Sequence, residues 1–187
     1  MDPASALDFV AVDFETASSQ RASVCQVGLT RVIDGVVDAE DGWLVVPPTG
    51  ADAFAPRNVM IHHITPAIVR RYGISWEDSL DRFEAFVDGF PLVAHNAPFD
   101  RSVFERATRY VGFGVPRHRW EDTVLLARRH CRELPDHRLP TVAAHFGLGD
   151  FSHHDACADA RTCALIATAI ATRTGAHSVD ELWGMPR

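Results

Sequence analysis

The sequence predicts an α/β domain built on a mixed sheet. Three observations carry that reading: an apolar run opens the chain, an Asp-Gly hairpin signal follows, and strand-like and helix-like segments then alternate. The 187 residues are 47% hydrophobic and 23% charged, which suits one domain with a sizeable core and excludes disordered or collagen-like structure.

Leu7 to Val12 is apolar apart from Asp8 and reads as a strand buried on both faces. A second strand is expected over about Val24–Ile33. Asp34-Gly35 then turns the chain into Val36-Val37 and Trp43–Val46, so two of the three opening strands pair antiparallel. Pro47-Pro48 and Gly50 close the unit. Ser75 with Asp78 marks a capped helix start, and Leu80, Phe83, Phe86 and Val87 recur at helical spacing until Gly89 and Pro91. Leu92-Val93-Ala94 is a short strand. Helices are expected over Asp100–Tyr110, about Thr123–Cys131, Thr141–Phe146 and about Asp155–Thr174. No repeat, low-complexity stretch or linker interrupts this order, so a single domain over residues 1–187 is expected.

All 18 basic residues are Arg and face 25 acidic ones, a net charge of −7. Such a chain lacks the overall positive field that drives non-specific nucleic-acid binding. If it handles nucleic acid, divalent metal held by the excess acid is one way to bring phosphates in. Arg101, Arg106, Arg109, Arg128, Arg129 and Arg132 supply local positive charge for a phosphate backbone, or simply a solvated face. No apolar run approaches the roughly 20 residues of a spanning helix. The first ten residues carry two Asp and no basic side chain, unlike a secretory signal. Four cysteines are too few for a disulfide scaffold. A cytoplasmic location with no membrane partner is therefore expected.

The informative residues are acids. Asp13 and Glu15 are two apart on the first strand, so their side chains point to the same side. Two like charges beside an apolar strand repel, and Mg²⁺ or Mn²⁺ would relieve that repulsion through hard oxygen ligands. The same pair would also suit a solvated strand end. Asp100 follows the short strand near a helix start, as a cap or as a third ligand at a strand's C-terminal end. Asp159 lies one turn into an apolar helix, and a buried Asp is rare unless it is paired or binds metal. His154, five residues earlier, shares its face only from a non-helical lead-in, where a neutral imidazole can accept a proton from water or simply face solvent. His153, His154, Cys157 and Cys163 also raise a zinc alternative, weakened by the lack of any Cys-x-x-Cys pair.

Asp13-x-Glu15, Ala94-His-Asn-Ala-Pro-Phe-Asp100 and His154-x4-Asp159 together resemble, in order and spacing, the DEDDh branch of the DnaQ-like 3′–5′ exonucleases, the family of the proofreading epsilon subunit of bacterial DNA polymerase III. The likeness covers about residues 7–172, leaving a short C-terminal tail. It implies a ribonuclease-H-like fold, with a five-stranded mixed sheet and helices on both faces. It also implies two divalent metal ions, Mg²⁺ or Mn²⁺, held by Asp13, Glu15, Asp100 and Asp159, with His154 as general base. Four carboxylates and two such cations sum to zero charge.

The implied activity is release of 5′-mononucleotides from the 3′ end of single-stranded DNA, with a polymerase or repair complex as a candidate partner. An RNA-trimming exoribonuclease, a small-molecule phosphodiesterase and a non-catalytic nucleic-acid-binding module remain as alternatives. Phe14, Thr16, His62, Asn96 and Phe99 are the candidate substrate contacts, although Phe14 and Phe99 suit core packing equally well. The chain departs from the family at Thr16-Ala-Ser-Ser-Gln20, where proofreading subunits commonly read Thr-Gly-Leu. It departs again at Ile61-His62-His63-Ile64, which has His where Gly is common.

Overall fold

The computed structural model describes residues 6–184. Its sheet runs β3-β2-β1-β4-β5, formed by β1 (Phe9–Thr16), β2 (Val24–Ile33), β3 (Val36–Leu44), β4 (Leu92–Ala94) and β5 (Trp120–Asp122). Strand β2 pairs antiparallel with β1 and β3, while β4 pairs parallel with β1 and β5. This is the expected five-stranded mixed sheet of a ribonuclease-H-like fold. Asp34 and Gly35 turn β2 into β3 with φ of 49° and 76°, the two positive values that a tight hairpin requires.

Alternation along β1 divides the core in two. Val10, Val12 and Phe14 face α3 (Trp76–Val87) and α4 (Ala97–Tyr110), where Trp76, Phe83 and Phe104 are fully buried. Phe9 and Ala11 face the other side, against α5 (Thr123–His130), α6 (Leu139–His145), α7 (Ala156–Thr174) and α8 (Val179–Gly184). Burial of each large side chain stabilises by roughly 1.5–3 kcal/mol. Asp13 and Glu15 continue the Phe9–Ala11 row, so the strand's period alone aims both at α7.

Several elements differ from the sequence expectation. Helix α4 begins three residues before Asp100, and α6 begins two before Thr141, because Pro98 and Pro140 fit the first helical turn. Helices α1 (Pro56–His62) and α2 (Pro66–Tyr72) were not foreseen, although each opens on the Pro that favours that position. Strand β5 is too short and too polar to read from pattern. Helix α8 buries Val179 and Leu182 beyond the expected core. Among the described residues no helix is long and apolar enough to cross a membrane.

Candidate active site

The site forms where the end of β1 meets the starts of α4 and α7. Helix α7 can lie directly on the sheet because Gly28 and Gly42 face each other on β2 and β3. A Cβ at Gly28 would overlap the Ala156 carbonyl, and one at Gly42 would overlap the Cys157 thiol. Gln26 Oε1 accepts from the Ala156 N–H (3.2 Å), fixing the helix start to β2. Asp155 caps α7 by accepting from the N–H groups of Cys157 (3.0 Å) and Ala158 (3.2 Å). Since Gly28 is paired with Asp13, this contact carries Asp159 onto the acids of β1.

Carboxylate oxygens of Asp13, Glu15 and Asp159 lie within 4.8 Å of one another. Asp100, only 3% exposed, approaches from α4 and accepts from the Phe14 N–H at 3.2 Å. Burial is the largest cause holding Asp13 well above the usual carboxylate range, followed by repulsion from Asp100, Asp159 and Glu15. Burial, then Asp159 and Asp100, pushes Glu15 up to about 8. Asp100 also rises to about 8 by burial, opposed by the Phe14 N–H and the Arg21 guanidinium. Asp159 is raised by burial and partly restored by His153.

The His153–His154 pair sits in a turn before α7, the non-helical lead-in that His154 needs to face Asp159. His154 adopts φ 71°, and its N–H donates to Asp159 Oδ2 at 3.1 Å. Its ring stacks on that of His153 with centroids 3.8 Å apart, and its Nδ1 lies 4.0 Å from Glu15 Oε1. Burial and the neighbouring His153 lower its pKa, so the imidazole is neutral at neutral pH. The His154 side chain remains 43% exposed and open to a ligand.

This donor set fits a hard divalent cation. Buried carboxylates crowded together favour protons unless positive charge arrives, and oxygen donors suit Mg²⁺ or Mn²⁺. The zinc alternative involving cysteine does not form, since Cys163 is buried beside Thr123 and Cys157 lies against Gly42. His153, which the sequence suggested only for the zinc alternative, binds Asp159 through Nδ1 at 3.0 Å.

The expected substrate contacts divide. The Phe14 ring corrects its assignment: it points to the opposite face of β1 from Asp13 and Glu15. There it packs against Trp76, Phe83 and Phe104 at centroid distances of 6.1–6.5 Å. His62 needs correction too. Its Nδ1 accepts from the Ile64 N–H (3.0 Å) and its Nε2 donates to the Thr16 carbonyl (3.3 Å), so both nitrogens are occupied within the chain. Thr16 is buried, and its carbonyl also accepts from Asn58 Nδ2 at 2.9 Å. Asn96, with φ 79°, keeps its side chain exposed. Phe99 is half-buried under the Arg21 guanidinium, 3.9 Å from the ring centroid, a contact the sequence did not signal. His63, in the place where the family commonly has Gly, holds φ 60° at the end of α1. That left-handed conformation explains the preference for Gly there.

A ribonuclease-H-like sheet with a buried acidic cluster at the end of its first strand defines a nuclease-type domain. Residues 10–167 match the exonuclease family model of the ribonuclease T type, and the chain belongs to that family. It is 30% identical over 164 residues to a PolC-type DNA polymerase III of Thermotoga petrophila, covering 84% of this chain and 11% of that protein. It is 32% identical to a DNA polymerase III subunit epsilon-like protein of Rhodobacter capsulatus, covering 79% of this chain and 23% of that one. The chain thus spans from about a tenth to a quarter of these relatives. Its fold resembles exonuclease X in complex with 5′-overhanging duplex DNA, with a TM-score of 0.74, 23% identity and coverage of 94% of this chain and 98% of that one. It also resembles E. coli exonuclease I with a dT13 oligonucleotide, with a TM-score of 0.77, 20% identity and coverage of 90% and 42%.

Proposed function

We propose that this domain, spanning residues 1–187, is a metal-dependent 3′–5′ exonuclease that releases 5′-mononucleotides from the end of single-stranded DNA. The observation that carries the reading is the convergence of Asp13, Glu15 and Asp159 within 4.8 Å beside a neutral His154. Asp13, Glu15 and Asp159 would hold one Mg²⁺ or Mn²⁺, and Asp100 would serve a second. When bound, such cations lower the pKa of the attacking water and stabilise charge on the leaving 3′ oxygen.

With Nδ1 turned toward Glu15, His154 accepts the water proton at Nε2 as the new P–O bond forms. The bond from phosphorus to the 3′ oxygen breaks, leaving a 3′-hydroxyl on the shortened strand. The His154 N–H bond to Asp159 fixes the imidazole relative to the acids, and the Phe14 N–H fixes Asp100 relative to β1. Asn96 and Phe99 flank the strand end, and Thr16 lies beside Glu15. A polymerase or repair complex is the proposed partner, and the cytoplasm the proposed location.

The test is a time course on two 5′-labelled single strands of equal length, one DNA and one RNA. Each is run with Mg²⁺ or Mn²⁺, with a chelator and with the Asp13→Ala variant. A ladder shortening from the 3′ end, lost with chelator or variant, supports the reading. Faster loss of the RNA would overturn the DNA assignment, and no shortening of either strand would overturn the activity.

A further inference from the structure

The acidic centre opens into a cavity of about 520 Å³ walled by the start of α4, α5, the segment before α6 and the lead-in to α7. Asp13, Asp159 and His153 line it together with Arg128, Arg138 and Asn96. The two arginines come from different elements, Arg128 from α5 and Arg138 from the N-cap of α6. Both are exposed, and among the described residues neither guanidinium has a hydrogen bond or ion pair. Asp136 shares the cavity; its carboxylate accepts from the Arg138 backbone N–H at 3.0 Å and feels the Arg138 charge without forming an ion pair with it. By contrast, Arg101 and Arg109 on α4 both pair with Glu105.

The wall that presents Arg138 is braced. His95 Nδ1 engages Thr123 Oγ1 at 2.8 Å, and its Nε2 engages the His137 carbonyl at 2.9 Å. His137 Nε2 in turn reaches the Cys131 carbonyl at 3.1 Å. The His95 ring is therefore a structural tie. In a protein of net charge −7, unpaired guanidinium groups beside a carboxylate cluster are the groups that can attract an anion to that spot. Their planar forks match the non-bridging oxygens of a phosphodiester.

We infer that this cavity holds the phosphate one nucleotide upstream of the scissile one, gripped by Arg128 and Arg138. The inference rests on the nuclease reading and deepens it: the substrate must carry a second phosphate, so a small phosphodiester with only the scissile group is a poor one.

The test compares cleavage of a dinucleotide bearing a 5′-phosphate with that of the same dinucleotide lacking it, in deoxyribose and ribose series. The parent is expected to prefer the phosphorylated form at least tenfold in kcat/KM. Arg128→Ala combined with Arg138→Ala should reduce that preference to less than threefold, and Arg128→Lys should recover part of it. Binding of a 12-nucleotide strand should also lose salt dependence, its log–log slope falling by about 1.4 for two lost phosphate contacts on a single strand. Thermal melting of each variant checks that the fold is kept. A parent without the preference, or a double variant that keeps it, overturns the inference while the nuclease reading stands. If the parent cleaves nothing, including a long strand, both fall.

Discussion

Replacing Glu15 by Gln should make the metal-free protein more stable near neutral pH while abolishing its activity. Glu15 rises from 4.5 to about 8 on folding, chiefly through burial. A carboxyl whose folded pKa lies above its unfolded value costs the fold nothing while protonated in both states and destabilises it once the unfolded chain ionises. The associated penalty is absent below about pH 4.5 and grows until the pH passes about 8. At pH 7 it amounts to about 3 kcal/mol for this group, an order-of-magnitude figure from the linkage between pKa shift and stability. The Gln side chain is nearly isosteric and carries no charge, so it escapes that penalty. For a domain of this size, melting in chelator at pH 7.5, where the penalty is at least as large, should rise by roughly 6–12 °C. At pH 4.5 the two proteins should melt together. Mg²⁺ or Mn²⁺ should then raise the melting temperature of the parent far more than that of the variant, since binding to the folded state alone stabilises by mass action. A Glu15→Gln protein that melts at or below the parent at pH 7.5, or a difference independent of pH, would refute the electrostatic account.

Substituting His154 by Ala should lower kcat by roughly 10²–10⁴-fold, the usual contribution of a general base, while Mn²⁺ titration by calorimetry stays within a few-fold of the parent. A collapse of metal affinity would instead make His154 a ligand. In the parent, log kcat should fall as the medium is acidified below about 6.5, because burial lowers the His154 pKa and the protonated ring cannot accept the water's proton. At saturating metal, where protons no longer compete with the cation for Glu15 and Asp100, an acid limb above that pH would point to a different base. Gly28→Ala should cost about 1–3 kcal/mol or more, because its Cβ meets the Ala156 carbonyl, and should lower kcat as α7 shifts Asp159 away from β1. Unchanged melting would show that α7 does not need this close approach. His63→Gly should raise the melting temperature by a few degrees, since a non-Gly residue at φ 60° costs about 1–2 kcal/mol. A fall would mean that the His63 side chain makes a stabilising contact.

The sequence made the local placement of each acid legible, while their grouping into one centre was what the family resemblance implied. On a strand, two-residue spacing alone puts Asp13 and Glu15 on one side, and on α7 a single turn separates the capping Asp155 from Asp159. The same rule places Phe14 on the opposite face, so that correction was available without the structure. The Asp34-Gly35 hairpin and the Ser75 cap were legible for the same reason, each being a short-range preference of particular residue types. The tertiary structure decided what depends on distant segments meeting. Which strand's neighbour carries α7 follows from Gly28 and Gly42, whose lack of side chains acts only when a helix more than a hundred residues later lies on them. His153 joining Asp159, Arg21 covering Phe99, and Arg128 and Arg138 sharing a cavity follow from packing and leave no periodic trace in the chain. The raised pKa values belong here too: the sequence supplies the carboxylates, but only burial against a folded sheet sets what their charge costs.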